Sequence, residues 1–158
     1  MKKLSTLLTL VMAAGYATAA ADKPVVKPIP FEGKPAVALQ VFDMSGKVAR
    51  PIQGNTLSIS KKQNRLCWVS VNIPLQGKVN IVEAFYAPAA LTLVSPGSQF
   101  DSSADNKNHT IVTLVESNNN QSVSRCWSFD QTDPIGKYKL EVQIKDQVFK
   151  GLAFEITK

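Results

Sequence analysis

The sequence predicts an all-β protein, an antiparallel sandwich of two sheets held by one disulfide. After residue 35, apolar and polar residues alternate at a period of two, and no stretch of helical period competes with them. Clusters of turn-forming residues separate about eight such segments, which is the number that two packed sheets require. The chain contains only two cysteines, so a disulfide within it has a single possible pairing.

The size of the chain fits one domain. It has 158 residues, of which 44% are hydrophobic and 19% are charged, with a formal net charge of +6. This apolar fraction is sufficient for a core, and the length is too short for two full domains.

The first residues have the three parts of a secretory signal peptide. Lys2 and Lys3 precede the apolar run 4–14, and the small-residue tract 17–21 follows. The apolar run is shorter than the roughly 20 residues that span a bilayer, so we expect cleavage after Ala21 and no membrane anchor. The sequence therefore predicts a signal peptide over 1–21 and a bacterial protein that is periplasmic or secreted.

Residues 22–35 form a proline-rich segment between the signal peptide and the domain, which we expect to cover 36–158. Proline removes backbone donors and imposes extended geometry, so we expect an extended arm. Two interpretations are open, a lead-in that lies along the first sheet or a ligand for a partner. The first is favoured, because the prolines follow no repeating motif.

Within the domain, the alternation predicts the strand positions. A long polar loop is expected over 97–108, and the turn cluster 117–122 is expected to close a hairpin between its two flanking strands. The predicted strands are 36–41, 57–60, 64–73, 79–86, 91–94, 110–116, 123–129, 138–144 and 148–156.

The two cysteines, Cys67 and Cys126, lie 59 residues apart. In an oxidising compartment they are most simply a structural disulfide. A metal or redox pair is disfavoured, because such pairs favour close spacing and no histidine stands near either cysteine.

A tryptophan follows each cysteine, Trp68 in the first case and Trp127 in the second. Alternation along a strand places each indole on the face opposite its cysteine. Two interpretations are open, an aromatic platform for a sugar or peptide and two rings packed in the core beside the bridge. The second is favoured because large aromatic residues usually supply burial.

Asp133, Gly136 and Tyr138 form an Asp-x-x-Gly-x-Tyr motif. This motif resembles the tyrosine corner that opens the penultimate strand of immunoglobulin-like sandwiches. The resemblance implies an immunoglobulin-like two-sheet antiparallel sandwich in which the Tyr138 hydroxyl bonds to nearby backbone. Leu140 stands where the second cysteine of the antibody disulfide would fall. The resemblance therefore implies a bond between different strands, with Cys67 on a B-like strand and Cys126 on an E-like strand, and it implies no activity.

The motifs for catalysis are absent from the sequence. The sequence has a single histidine, His109, and no Gly-x-Ser-x-Gly element that would supply a nucleophilic serine. Both observations argue against a Ser-His-Asp hydrolase. The aspartates at 101, 105, 130 and 133 stand in turn-like segments, where aspartate supports the backbone. The sequence lacks the regular spacing of aspartates that binds calcium, and it has too few histidines and methionines to form a copper site. We therefore predict no catalytic residue, no metal and no cofactor.

The densest basic cluster is Lys61-Lys62 with Arg65. Aromatic residues do not interleave with it and no phosphate-binding glycine loop adjoins it, so we predict no nucleic-acid binding. A solvated loop is the favoured interpretation. Contact with anionic lipid headgroups or with an acidic partner is the alternative.

With catalysis disfavoured, the sequence favours a non-catalytic binding module that acts through loops or a strand edge on a protein partner in the cell envelope. The alternative is a periplasmic inhibitor or immunity protein that blocks an enzyme. The residues that we predict to bind lie in or next to the 97–108 loop, since long loops in compact domains are often functional. They are Phe100, Asp101, Asp105 and His109. Simple mobility of this loop is the alternative interpretation and is slightly favoured.

Overall fold

The computed structural model describes residues 29–158. The predicted signal peptide and residues 22–28 of the predicted arm lie outside this range. The rest of the arm differs from the expectation, because Pro30–Gly33 form a tight turn, in which Phe31 and Glu32 have φ of +53° and +54°, instead of extended chain. The side-chain amide of Asn72 donates hydrogen bonds to the carbonyl oxygens of Pro30 and Lys34, at 2.9 and 3.0 Å. This turn is thereby fixed to the end of a core strand.

The described residues form a β-sandwich of a four-stranded and a six-stranded sheet. The four-stranded sheet has the order β2-β1-β4-β8, and the six-stranded sheet has the order β3-β10-β9-β5-β7-β6. All neighbouring strands are antiparallel except β3 and β10, which are parallel. The strands are β1 Ala36–Asp43, β2 Arg50–Ile52, β3 Thr56–Ser58, β4 Asn64–Val71, β5 Lys78–Tyr86, β6 Gln99–Ser102, β7 Asn108–Glu116, β8 Ser124–Trp127, β9 Gly136–Ile144 and β10 Gln147–Thr157.

The predicted all-β sandwich with one disulfide is confirmed, but three details of the predicted strands are wrong. Residues 91–94 do not form a strand, since Leu91 and Leu93 pack against the core without pairing. The segment 97–108 is not a loop, because it contains β6, which pairs with β7. The predicted hairpin between β7 and β8 does not form either. β7 pairs with β5 and β6 whereas β8 pairs with β4, so the chain crosses from one sheet to the other at residues 117–123.

The core lies between the two sheets and is built by the alternation that predicted them. Along β5, for example, Val79, Ile81 and Phe85 face inward and are buried. The aromatic rings cluster at one end, where Tyr138 stacks on Phe154 with ring centroids 4.9 Å apart. Burial of the apolar side chains between the two sheets is the main stabilising contribution to the fold.

The disulfide joins two neighbouring strands of the four-stranded sheet. Cys67 on β4 lies directly opposite Cys126 on β8, with Cα atoms 4.0 Å apart. Both cysteines face away from the core, so the adjacent Trp68 and Trp127 face inward and are buried. The core interpretation of the two tryptophans is therefore confirmed.

The segment before β9 is held by a hydrogen bond from a side chain of β9 to the backbone. The Tyr138 hydroxyl donates a hydrogen bond to the Pro134 carbonyl oxygen at 2.6 Å. Burial raises the pKa of this hydroxyl well above its usual value, so it keeps its proton and stays a donor. Gly136 has a φ of +138°, and a Cβ there would lie 3.1 Å from Pro88 Cγ. A side chain at this position would therefore meet both backbone strain and a close contact.

We expect the disulfide to contribute about 4 kcal/mol to the free energy of unfolding, because it closes a long loop in the unfolded chain. Replacing both Cys67 and Cys126 with Ser should lower the urea midpoint by the corresponding amount, with an unchanged β-sheet circular dichroism spectrum. The wild-type protein in reducing buffer is the matched control and should show a similar loss. An oxidised protein no more stable than the double variant would contradict this role.

Candidate functional site

The four residues predicted to bind do not form one cluster. Asp101 lies on β6, facing away from the core with its pairing partner Thr110. Phe100 faces the opposite side and is partly exposed at the sheet edge. Asp105 lies in the β6–β7 turn, where its carboxylate accepts hydrogen bonds from the Ser103 hydroxyl and the Lys107 N–H. Its side chain therefore stabilises the turn.

His109 is buried in β7 and both of its ring nitrogens have partners. Nδ1 lies 2.8 Å from the Ser102 hydroxyl oxygen, and Nε2 lies 2.9 Å from the Asn106 carbonyl oxygen. The ring therefore ties β7 to β6 and to the turn between them. This arrangement leaves no free nitrogen for a substrate, and a binding role for the four residues stays a prediction.

The most unusual group in the core is the Glu83 carboxylate, which sequence reasoning missed. Glu83 occupies an inward position of β5, and its side chain is 0% exposed. The indole N–H groups of Trp68 and Trp127 both donate to Oε1, at 2.6 and 2.8 Å. Since β5 belongs to the six-stranded sheet and both tryptophans belong to the four-stranded sheet, this carboxylate joins the two layers. A glutamate between Ile81 and Phe85 at the inward spacing was the available signal.

Arg125 on β8 supplies the counter-charge. Its Nη1 lies 3.0 Å from the second carboxylate oxygen of Glu83, and its side chain is 13% exposed. The same guanidinium donates to the hydroxyl oxygens of Thr113 and of Ser95, the latter at 2.7 Å. It also lies over the Trp127 ring, 4.9 Å from the centroid. A carboxylate buried so fully is out of reach of a substrate, so this network serves structure.

The outer face of the four-stranded sheet carries almost no charge. We call this surface the disulfide face. Its side chains form cross-strand rows, such as Ala38 beside Val69 and Gln40 beside the disulfide. Arg65 is its single ionisable residue among those described, and its guanidinium donates to two nearby carbonyl oxygens. Val69 is 37% exposed. A shallow apolar depression of about 290 Å³ lies on this face, lined mainly by Ala38, Gln40, Phe42, Met44, Ala49, Cys67, Val69, Ser124 and Cys126.

Cations surround one end of the disulfide face. No acidic residue occurs between Asp43 and Glu83, while the intervening chain carries Lys47, Arg50, Lys61, Lys62, Arg65 and Lys78. The pKa of Asp43 is held below its usual value, first by hydrogen bonds from Ser45 and further by the charges of Arg50 and Lys61. These two cations, from different segments, therefore stand near the same end of β1.

A second depression, of about 520 Å³, lies beside the free edge of β8. We call it the β8 cleft. Residues 92–96 form one wall, and residues 125–128 form the other. Asp130, Thr132 and Asp133 line one end. The cleft is more polar than the disulfide face and shares Cys126 with it.

Neither a metal site nor a membrane span is found in the described part of the chain. Within residues 29–158, no three His, Cys, Asp or Glu side chains are grouped to hold a metal ion. No helix in the same range is long and apolar enough to cross a membrane.

Comparison with known proteins gives a family. The family model described as the PM0630 beta sandwich domain matches residues 37–157. The chain is also 31% identical to a protein of Pasteurella multocida (strain Pm70) that bears the name "Uncharacterized protein PM0630", over an alignment that covers 100% of both chains. The chain therefore belongs to the PM0630 beta sandwich family.

We expect the ion pair between Glu83 and Arg125 to be essential for stability. Replacing Arg125 with Met keeps the stem of the side chain but leaves a buried carboxylate without its counterion, which costs about 3–5 kcal/mol in comparable cases. Urea unfolding measures the loss. The matched control is Arg50→Met on the exposed edge strand β2, with an expected change of about 0–1 kcal/mol. Equal losses in the two variants would contradict the assignment.

The pH dependence of stability should reveal the burial of Glu83. Burial raises the pKa of this carboxyl, and Arg125 and the two indole N–H groups oppose that rise only in part. The native state therefore holds the proton more tightly than the unfolded chain, whose glutamate pKa is about 4.3. The stability that Glu83 contributes is thus fully present below this pH and is lost as the pH rises through the folded-state pKa.

The measurement is the free energy of unfolding of the wild type minus that of Glu83→Gln, taken across the acidic range. We expect the difference to be greatest near pH 4 and to fall as the pH rises, in accord with the sign of the shift. A difference that grows with pH would mean that the attraction of Arg125 outweighs burial.

Proposed function

We propose that this member of the PM0630 beta sandwich family is a non-catalytic protein-interaction module that works outside the cytoplasm, with a protein partner in the cell envelope. The observation that carries the proposal is the disulfide face, an outer sheet surface that has exposed apolar side chains and, within residues 29–158, a single ionisable residue, Arg65. Contiguous uncharged surface of this kind is typical of interaction sites. The predicted signal peptide and the disulfide support a location in an oxidising compartment.

The outer face of the other sheet provides the contrast. There Lys139, Glu141 and Glu155 project from β9 and β10, and Lys150 lies 3.7 Å from Glu141. Charged residues on an outer face keep that face in solvent and oppose non-specific association with other proteins. The unequal distribution of charge between two outer faces of one sandwich supports a specific use for the neutral one.

The partner that this surface fits carries acidic residues near an apolar patch. Arg50 and Lys61 lie near Asp43, which stands between Phe42 and Met44 in the chain. Lys47 lies in the segment that joins β1 to β2, and Lys62 precedes Gln63, whose carbonyl oxygen accepts a hydrogen bond from the Met44 N–H at 3.0 Å. Complementary charge steers association and fixes orientation, while the apolar contacts supply affinity. We therefore expect binding to weaken as ionic strength rises.

The chemistry of the described residues favours binding over catalysis. His109 has both ring nitrogens engaged, and the Glu83 carboxylate is sealed in the core. The pKa of Asp105 and that of Asp130 are both lowered, each first by a hydrogen bond from a nearby hydroxyl, so these side chains are poor proton donors.

We further propose that the sandwich is immunoglobulin-like. The hydrogen bond from the Tyr138 hydroxyl to Pro134 supports this assignment. The neighbouring positions of β4 and β8 support it too, because the resemblance implied a B-like and an E-like strand for the two cysteines.

Site-directed photo-crosslinking in intact cells tests the proposed interaction. We expect a photoreactive amino acid at Val69, on the disulfide face, to give an adduct with one envelope protein. The matched control is Leu114, which is 56% exposed on the outer face of the six-stranded sheet. Charge reversal of Lys61 and Lys62 to Glu should weaken the adduct, because it removes the attraction for an acidic partner.

Three results would contradict the proposal. They are equal adducts from both positions, adducts only with a second copy of this chain, and turnover of peptide, ester or glycan substrates by the purified protein.

A further inference from the structure

Within residues 29–158, the backbone of β8 is paired on one side only. β4 is its one neighbour among the described strands. The Ser70 N–H donates to the Val123 carbonyl oxygen at 2.8 Å. This bond shows which residues of β8 direct their backbone groups toward β4. In an antiparallel pair every second residue turns its N–H and C=O away from the neighbour. Ser124 and Cys126 are those residues, so their backbone groups face outward, and those of Cys126 face the β8 cleft.

The opposite wall of the cleft also offers unpaired backbone. Leu91 is anchored by a hydrogen bond from its N–H to the Asn106 carbonyl oxygen. Beyond it, no backbone hydrogen bond to another described residue is found for Thr92, Leu93 or Val94. Val94 is 78% exposed. Residues 92–94, whose sequence is typical of a strand, thus lie across the cleft from the edge of β8. The backbone groups of the two segments form no hydrogen bonds with each other.

The disulfide keeps this edge in place. β8 has only four residues, Ser124–Trp127, and a strand that short gains little from its ladder alone. The bond to Cys67 fixes Cys126 directly opposite its partner, so the register of β8 is set before anything binds. A template that is ordered in advance lowers the entropic cost of association.

The charges around the cleft favour a ligand with a positively charged side chain. Asp130 and Asp133 line one end, and the one basic residue of the lining, Arg125, is neutralised by Glu83. The Asp130 carboxylate accepts hydrogen bonds from the N–H and the hydroxyl of Thr132, and it remains largely exposed to solvent. A positively charged side chain near this end would therefore meet uncompensated negative charge.

We propose that the β8 cleft binds an extended segment of a partner protein, which adds as a strand beside β8 and directs a lysine or arginine side chain toward Asp130 and Asp133. This inference rests on the proposed function, since strand addition is a mode of binding other chains. Backbone hydrogen bonds to Cys126 supply affinity, and the acidic end of the cleft supplies selectivity.

A second copy of this chain fits the cleft poorly. The other sheet edges within residues 29–158 are β2, β3 and β6. β2 contains Pro51, which lacks a donor for a ladder. β3 has no basic residue, and β6 carries Asp101, which the acidic end would repel. β8 of a second copy has Arg125 as its one basic residue, and Glu83 holds that side chain in the core. A separate protein is therefore the occupant that the structure favours.

The experiment uses the oxidised protein and a displayed library of random octapeptides, followed by NMR with the tightest peptide selected. We expect the selected peptides to contain lysine or arginine and to slow hydrogen exchange at the amides of Ser124 and Cys126. N-methylation of the peptide bonds that face β8 should weaken binding about tenfold, because it removes the donors of the new ladder. Asp130→Asn should weaken binding about threefold, whereas the matched control Asp146→Asn, at the exposed turn between β9 and β10, should leave it unchanged.

The proposal is overturned if no peptide is enriched, if the selected peptides protect other amides, if N-methylation is tolerated, or if self-association protects the same amides. These outcomes are separable from those of the crosslinking experiment. An envelope protein captured at Val69 without any peptide at β8 would leave the interaction module intact and reject strand addition. Peptide binding at β8 without an adduct at Val69 would reject the disulfide face instead.

Discussion

The buried carboxylate of Glu83 determines how the two sheets face each other. A charge in a core is tolerated only when hydrogen bonds and a counter-charge surround it. Glu83 obtains them from Trp68, Trp127 and Arg125, all on the opposite sheet. Because these three side chains must point inward, the residues that alternate with them must point outward. The orientation of β4 and β8 is thus fixed by the hydrogen bonds and the counter-charge that the buried Glu83 carboxylate requires.

The outward position of the disulfide follows from this constraint. In a sandwich whose disulfide crosses between the sheets, the sulfur atoms fill part of the core. Here two indole rings occupy that space, and the bond between Cys67 and Cys126 lies on the surface, where it joins neighbouring strands. The covalent link therefore orders an edge strand and its outer face. Both surfaces that we propose for binding adjoin this link.

The alternation of apolar residues was sufficient to predict most strands and the fold class. It failed for β6, Gln99–Ser102, because an exposed edge strand with polar side chains looks like a loop in sequence. It also failed for 91–94, where the apolar residues cover the core without a partner strand. The β7–β8 hairpin was wrong because neighbours in sequence are not always neighbours in a sheet, and the contacts of Glu83, Trp68 and Arg125 that decide this are distant in sequence.

The candidate site was harder to predict than the fold for the same reason. The chain has only two cysteines, so their pairing is unique and could be predicted from the sequence. The disulfide face depends on which side of β4 is buried, and alternation alone leaves two answers for Cys67 and Trp68. Glu83 contained the missing information, but a single glutamate within an apolar strand pattern reveals a buried acid only when its partners are known.

Arg125 connects the core to the β8 cleft. Its guanidinium contacts Glu83 on β5, Thr113 on β7 and Ser95 in the wall of the cleft. The six-stranded sheet is wider than the sheet that it packs against, so part of its inner face is covered by the chain around residues 91–98 instead of by a strand. Arg125 holds this covering segment through Ser95. The wall of the cleft is therefore tied to β8 by the same side chain that joins the two layers.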